Sequence, residues 1–274
     1  MNTELTIFQG RAGDHNTLAM SGARSIGEHL GKLLGLTVVS IGQPEPALST
    51  DWRTELNHAL PALHALQRRF RAIAALGRKP ISATSRCAAS LATLPVISAA
   101  NKGVCIVWFD AHADLNTPAS TTSGYLGGLA LSGPAGLWDS GLGAGTALDD
   151  IVLVGQRDLD PFELDLIQSG KVRHIPPGSG LAEELRLAVA GRAVYVHLDC
   201  DVLEPGIVPT DYVCPNGLTL EDLRSACEVL GESEVVGLEI AEFQNSWVAD
   251  GPPVSPAPLI QSLLPILRQF GQLA

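Results

Sequence analysis

One stretch of the chain joins a strand pattern to side chains that could bind a metal. The apolar run from Val104 to Phe109 has the length and β-branched content of a buried parallel strand. Asp110, His112 and Asp114 follow it at two-residue intervals. Because an extended backbone directs residues i, i+2 and i+4 to the same side, these three side chains can converge on one point.

A second acidic pair has the same spacing, since Asp199 and Asp201 stand at the end of another apolar run. Two like charges roughly 4 Å apart repel by about 4 kcal/mol at an effective dielectric of about 20, so four gathered carboxylates must take up protons or bind cations. A single Asp after a strand is also typical of a cap or turn, but two matched clusters favour a metal site. Oxygen ligands with one imidazole suit manganese or magnesium better than zinc.

The composition excludes several classes of protein. The 274 residues are 46% hydrophobic and 17% charged, which is typical of a globular chain. The net charge of −11 argues against nucleic acid or an anionic membrane as a partner. We expect neither a membrane span nor a signal peptide, because the chain has no long uninterrupted apolar segment. Five scattered cysteines without CxxC spacing favour reduced thiols and a cytoplasmic location.

Strand and helix patterns alternate along the whole chain, which predicts an α/β fold with a parallel sheet and helices on both faces. No linker is apparent, so we expect a single domain over residues 1–274, with a final helix over about Pro258 to Leu273. In such sheets ligands bind beyond the C-terminal strand ends, where the acidic clusters fall. The predicted strands are Leu5 to Phe8, Leu36 to Ile41, Pro80 to Thr84, Val104 to Phe109, Ile151 to Gly155, Val172 to Ile175, Ala193 to Leu198 and Val235 to Ile240.

The motifs resemble those of the ureohydrolases, the family of arginase and agmatinase. DAHAD with LNTP and TTSG, then LDCDVLEP and GLEIAE, stand in the family's order between Pro80 and Glu242. The resemblance implies a three-layer α/β/α fold with a mainly parallel eight-stranded sheet. It also implies two Mn²⁺ ions per chain and a bridging hydroxide that hydrolyses a guanidino group.

The resemblance assigns a role to each acidic residue at the two strand ends. Asp110 and Asp199 would bridge the two ions. His112 and Asp201 would complete one ion, and Asp114 would belong to the other. The family takes a further His ligand for that second ion from a GGDH motif, which this chain lacks.

Cys87 stands where an ungapped alignment puts the missing imidazole, 23 residues before Asp110. A thiolate can ligate a transition metal, and a divalent cation would lower its pKa enough to ionise it. Sulfur is a poor match for manganese, so this ion would be held more weakly. The alternative is a small buried hydrophobe, and both readings stay open. His197 shares the face of Asp199 but matches no family ligand, and we interpret it as structural.

The resemblance also implies how a guanidino amino acid is held. Asn116, Thr121 and Ser123 match residues that bind the amino-acid end of the substrate in arginases. Asp160 matches the carboxylate that receives the α-amino group, and Glu242 matches the one that pairs with the guanidinium.

The resemblance makes Asp114 and Glu242 catalytic, the first by collecting the proton of the hydroxide and the second by positioning the guanidino carbon. The loop SGYLGG departs from the family pattern. Gly127 stands where arginases have a proton-shuttling His, and Tyr125 replaces an Asn that helps hold the α-carboxylate, so we expect Tyr125 at the substrate. Losing a general acid costs roughly 10²- to 10⁴-fold in rate unless the substrate compensates.

These departures lead to a specific function hypothesis. An N-hydroxyguanidine is less basic than arginine's guanidinium and brings its own N–OH proton and lone pairs. The pattern resembles the branch of the family that hydrolyses Nω-hydroxy-L-arginine to hydroxyurea and L-ornithine in D-cycloserine biosynthesis, and this reaction is the prediction. The alternatives are an arginase- or agmatinase-type hydrolase of another guanidino substrate and a metal-deficient pseudoenzyme that acts as a partner subunit. A homo-oligomer is compatible with each of them.

Overall fold

The computed structural model describes residues 2–272, in which strands and helices alternate as the sequence predicts. The strands are β1 Thr3–Phe8, β2 Val38–Ile41, β3 Lys79–Thr84, β4 Cys105–Phe109, β5 Ile151–Val154, β6 Arg173–Ile175, β7 Val194–Asp199 and β8 Val235–Ala241. The helices are α1 Leu18–Leu34, α2 Trp52–Ala75, α3 Ser90–Ala100, α4 Pro161–Gln168, α5 Leu181–Val189, α6 Leu220–Leu230, α7 Ala257–Ser262 and α8 Leu264–Leu267. Short 3₁₀ turns cover Cys87–Ala89, Gly127–Leu129, Leu148–Asp150 and Cys200–Val202.

The strands form one sheet in the order β2-β1-β3-β8-β7-β4-β5-β6. Every neighbouring pair is parallel. The predicted α/β/α class with an eight-stranded parallel sheet is confirmed, and each predicted strand has a counterpart within a few residues. Parallel strands need helical crossovers, which the intervening helices supply.

Side chains of β4 show how the sheet separates two apolar cores. Cys105, Val107 and Phe109 pack in the core formed with α1, α5, α6, α7 and α8. Ile106 and Trp108 point to the opposite face and pack with α2, α3 and α4. This alternation explains why the strand reads as a continuous apolar run, since both of its faces are covered.

The prediction of one continuous C-terminal helix is wrong. The chain forms two short helices, α7 and α8, instead of one, and Leu273 lies outside the described residues. Pro265 near the start of α8 has no N–H to donate, and its ring crowds the carbonyl four residues earlier, so the helical hydrogen bonding is interrupted at this point. Within residues 2–272, no helix has the length and apolar character needed to cross a membrane.

Candidate active site

Four neighbouring strands at the centre of the sheet deliver side chains to one site from their C-terminal ends. Cys87 follows β3, Glu242 follows β8, Asp199 ends β7 and Asp110 follows β4. These strands are adjacent in the order β3-β8-β7-β4. The expectation of a site beyond the C-terminal strand ends therefore agrees with the fold.

His112 lies between two carboxylates. Its Nδ1 is 3.2 Å from Asp110 Oδ1 and 3.2 Å from Asp201 Oδ2. Asp201 also accepts a hydrogen bond from the Ala111 N–H at 3.0 Å, which joins the ends of β4 and β7. This contact fixes the two acidic clusters against each other.

Cys87 lies inside the acidic cluster. Its Sγ donates to Asp199 Oδ2 at 3.0 Å and is 3.2 Å from His197 Nε2. Cys87 opens a 3₁₀ turn directly after β3, and its side chain is buried.

Burial and mutual repulsion perturb the carboxylates of this cluster. Burial, with the charge of Asp201 second, raises the pKa of Asp110 from 3.8 to about 7. Burial and neighbouring aspartates raise the pKa values of Asp114 and Asp199 well above their usual range. Burial would also raise the pKa of Asp201, but the hydrogen bond from His112 outweighs it and holds that pKa below its usual value.

The residues present fit a pair of divalent cations. Within residues 2–272, three sets of ligand atoms each lie within 4.8 Å of one another, and the sets share members. Buried carboxylates whose charge is opposed by their neighbours are the arrangement that a cation stabilises. The oxygen-rich donor set suits a hard metal such as manganese, and the thiol is the exception. The sets are Asp110, His112 and Asp201; Cys87, Asp110 and Asp114; and Cys87, Asp199 and Glu242.

A cavity of about 210 Å³ opens beyond these side chains. The predicted site residues that line it are Cys87, His112, Asp114, Asn116, Ser123, Tyr125, Asp160, Asp199, Asp201 and Glu242. The structure thus brings predicted metal and substrate residues together around one space.

Two predicted residues do not line the cavity. Asp110 is fully buried beneath it, where the Trp108 indole N–H donates to its Oδ2 at 3.0 Å. Thr121 accepts a hydrogen bond from the Gly124 N–H at 3.1 Å and so holds its own turn, and Thr122 lines the cavity instead.

Two further carboxylates, Asp160 and Glu163, line the cavity and organise its wall. Asn116 Nδ2 donates to Asp160 Oδ2 at 2.7 Å. Glu163 accepts from the Leu115 N–H at 2.9 Å and from the Asp160 N–H at 3.0 Å, so it ties the loop after β4 to the start of α4. The sequence reasoning missed Glu163, although the Asp-Pro-x-Glu spacing is a capping signal that could have pointed to it.

Asp114 and Glu242, the two residues predicted to be catalytic, share an unusual backbone. Their φ angles are 53° and 65°, in the left-handed region that side chains other than glycine rarely adopt. Such conformations persist only where surrounding contacts hold them, and they concentrate at functional sites.

Arg86 is a second residue that the sequence reasoning missed. It is fully buried, and it donates from Nε to Asp14 Oδ1 at 2.9 Å and from Nη1 to Glu242 Oε2 at 2.6 Å. Nη1 is also 3.0 Å from Asp211 Oδ2. Glu242 Oε1 accepts from the Cys87 N–H at 3.0 Å, so both oxygens of this carboxylate are already positioned. The only signal for Arg86 in the sequence is a charge within an otherwise small and apolar segment.

His197 lies under the site rather than in its cavity. Its ring stacks on Trp108 with the centroids 3.5 Å apart, and its Nδ1 is 3.1 Å from Glu239 Oε1. These contacts agree with the structural interpretation of His197.

A parallel three-layer fold with an acidic, ligand-rich cavity beyond its central strands defines a class, the α/β metallohydrolases. Residues 20–249 match the model of the Arginase family. The N(omega)-hydroxy-L-arginine amidinohydrolase of Streptomyces lavendulae is 38% identical over 240 residues, which cover 88% of this chain and 88% of that protein. The chain therefore belongs to the arginase family, which confirms the family membership that the sequence motifs predict.

Solved structures agree on the fold. The arginases of Bacillus caldovelox and Entamoeba histolytica superpose with TM-scores of 0.82 and 0.83 at 20% and 21% identity. The alignments cover 98% and 97% of this chain and the same shares of those two chains.

Proposed function

We propose that this chain hydrolyses the guanidino group of Nω-hydroxy-L-arginine to hydroxyurea and L-ornithine, with two Mn²⁺ ions bound. The observation that carries the proposal is the convergence of a thiol and the acidic clusters on one cavity, which Asn116 and Asp160 also line. The identity with the Streptomyces lavendulae enzyme, which is named for this substrate, supports the choice among guanidino compounds.

The metal ligands in this proposal are the residues that the sequence indicated. Asp110 and Asp199 would be shared by the two ions, with His112 and Asp201 on one of them. When bound, the two ions would supply the positive charge that ionises a water molecule near neutral pH.

The second ion would take Asp114 and Cys87. Burial and the charge of Asp199 raise the pKa of the Cys87 thiol well above its usual range, so the thiol keeps its proton until a cation displaces it. The opposing reading is a packing role, since the side chain is 2% exposed.

The remaining roles belong to residues of the cavity wall. Glu242 would orient the guanidino carbon, because each of its oxygens accepts one protein donor and keeps a lone pair for the substrate. Asp114 would take up the proton of the attacking water. Asn116, Ser123 and Asp160 would hold the amino-acid end and supply orientation, and Thr121 would act through the turn that it holds.

The experiment that tests the function compares kcat/KM for Nω-hydroxy-L-arginine, L-arginine and agmatine with Mn²⁺ added. We expect hydroxyurea and ornithine from the first substrate, and a kcat/KM at least tenfold above those for the others. Equal or better turnover of arginine or agmatine would replace this substrate assignment with an arginase- or agmatinase-type activity.

Metal analysis of the same protein separates an enzyme from a pseudoenzyme. Two manganese ions per chain support the proposal. A chain that binds no metal and releases no product from any of the three substrates would be an inactive partner subunit.

Further parts of the proposal concern the chain as a whole. A single domain over residues 1–274 is supported by one sheet that includes strands from Thr3 to Ala241. A cytoplasmic location is supported by five cysteines that are all free within residues 2–272. A role in D-cycloserine-type antibiotic biosynthesis and a homo-oligomeric state stay predictions.

A further inference from the structure

Tyr125 occupies the space beside Gly127 where a longer side chain would otherwise lie. A Cβ atom built on Gly127 would be 2.2 Å from Cε1 and 2.8 Å from Cζ of Tyr125. Real Cβ atoms do not approach other atoms this closely, so the ring in this position excludes every side chain at residue 127. The Tyr125 ring in this position and a side chain at residue 127 therefore exclude each other.

The ring is held in place from its other side. Its centroid is 4.9 Å from that of His15 and 5.3 Å from that of Tyr212. A Cβ on Gly13 would be 3.5 Å from Cε2 of Tyr125, so the backbone there also packs against the ring. Rotation away from Gly127 would lose these contacts, which keeps the side chain organised before a substrate binds.

The hydroxyl of this ring lacks a partner. Tyr125 lines the cavity, yet its Oη is shielded from solvent and has no hydrogen-bond partner within residues 2–272. Burial, followed by the charge of Glu242, raises the pKa of Tyr125 well above its usual value, so the group stays a donor. A buried hydroxyl without a hydrogen-bond partner costs free energy, so a ligand that supplies the partner binds more tightly.

The proton of the hydroxyl selects the chemistry of that partner. A neutral phenol donates one hydrogen bond and can also accept one. An oxygen on the ligand accepts the donated hydrogen bond, whereas the N–H groups of a guanidinium can only donate to the phenol and leave its own proton unpaired. The unpaired hydroxyl therefore favours a guanidine that carries an oxygen.

We propose that Tyr125 is the specificity-determining residue for N-hydroxylated guanidines, and that its hydroxyl donates a hydrogen bond to the N-hydroxyl oxygen of the substrate. This inference rests on the proposed function and adds the residue that distinguishes the hydroxylated substrate from arginine. A site that pairs with a substrate hydroxyl discriminates strongly against the analogue that lacks it, because its own polar group is then left unpaired.

The test is the ratio of kcat/KM for Nω-hydroxy-L-arginine to that for L-arginine in the manganese-loaded enzyme. Tyr125→Phe removes only the hydroxyl and should lower kcat/KM for the hydroxylated substrate by about 10- to 100-fold. The value for arginine should change by less than about threefold, because the guanidino group of arginine carries no oxygen for the Tyr125 hydroxyl to bind. Metal content and thermal unfolding of the variant, both expected to match the parent, show that the site is intact.

Two further variants keep the inference falsifiable. Gly127→Ala should displace the ring while leaving its hydroxyl in the chain, and it should produce the same selective loss. In a Tyr125→Ala background, Gly127→Ala should add no further loss, because the clash is gone. Tyr212→Phe removes the hydroxyl of another tyrosine that lines the cavity and should leave the ratio unchanged.

The outcomes separate this inference from the proposed function. An equal fall for both substrates in Tyr125→Phe, or no fall for either, would show a packing role for Tyr125 and overturn the inference while the function stands. Failure of the parent enzyme to hydrolyse either substrate would overturn the function and this inference together.

Discussion

Two buried carboxylates on neighbouring strands, Glu239 on β8 and Asp199 at the end of β7, have opposite environments. Glu239 accepts hydrogen bonds from Ser90 Oγ and, at 3.0 Å, from Thr93 Oγ1, and its Oε1 is 3.1 Å from His197 Nδ1. Burial would raise the pKa of Glu239, but the His197 contact and the hydroxyl donors outweigh it and hold that pKa below its usual value.

Asp199 is buried like Glu239, but its neighbours are acidic groups. It accepts from the Asp201 N–H at 2.7 Å and from the Cys87 thiol at 3.0 Å. The charges of Asp201, Asp110 and Glu242 add to burial and raise its pKa. No arginine or lysine forms an ion pair with Asp199 among residues 2–272.

The difference separates a carboxylate that completes the fold from one suited to a ligand. Glu239 is satisfied by its neighbours, so its role can be fulfilled without a cofactor. Asp199 is stabilised in its ionised form only when positive charge is added from outside the chain. A buried acidic residue therefore indicates a metal site through the partners it lacks rather than through burial alone.

The largest expected effect comes from Asp199→Asn, which removes charge and keeps shape. Hydrolysis of Nω-hydroxy-L-arginine should fall by at least about 10³-fold, equivalent to about 4 kcal/mol in the barrier, and metal content should drop. The metal-free variant should unfold a few degrees higher than the metal-free parent, because the amide avoids burying an opposed charge. A lower unfolding temperature in calorimetry would show that Asp199 is already satisfied in the metal-free protein.

Next in size is the pH dependence of the metal-free protein. The pKa of Asp110 is about 7 when folded and 3.8 ordinarily, so the folded chain binds more protons than the unfolded chain between these values. The free energy of unfolding should therefore fall as pH rises from about 4 to about 7, by at most about 4 kcal/mol from this group. Glu242, whose pKa burial raises to about 7, acts in the same direction.

Denaturant titrations at pH 5 and pH 8, first with a chelator and then with Mn²⁺, measure how the free energy of unfolding changes with pH. Manganese should abolish the loss at pH 8, because the cation replaces the protons. Equal stability of the chelated protein at the two pH values would contradict the pKa directions of the cluster.

A smaller effect of opposite sign is expected from Glu239→Gln. The amide brings a donor where several donors already converge, so the free energy of unfolding should fall by about 2 to 3 kcal/mol in denaturant titrations. Arg186→Ala is the surface control, because its partners Glu183 and Glu232 are exposed and the change should be immeasurable. Equal effects of Asp199→Asn and Glu239→Gln on the metal-free protein would remove the distinction between the two carboxylates.

The fold was predictable because its signals are local. The strands β4 and β7 read as apolar runs, and the acidic residues stand at the ends of these runs, so adjacency in the sequence carried them to one edge of the sheet. Prediction failed where a proline interrupted a helical pattern, as Pro265 does between α7 and α8. It also failed for Arg86, whose partners Asp14 and Glu242 lie 72 and 156 positions away.

By itself, the sequence determined the order of the elements and the types of ligand, since periodicity and two-residue spacing act over a few residues at a time. Only the tertiary structure decided which carboxylates are compensated. It joined Arg86 to Glu242, surrounded Glu239 with donors and laid the Tyr125 ring on Gly127. The physical reason is that charge compensation and steric exclusion act across space, between segments that the chain brings together only when the sheet forms.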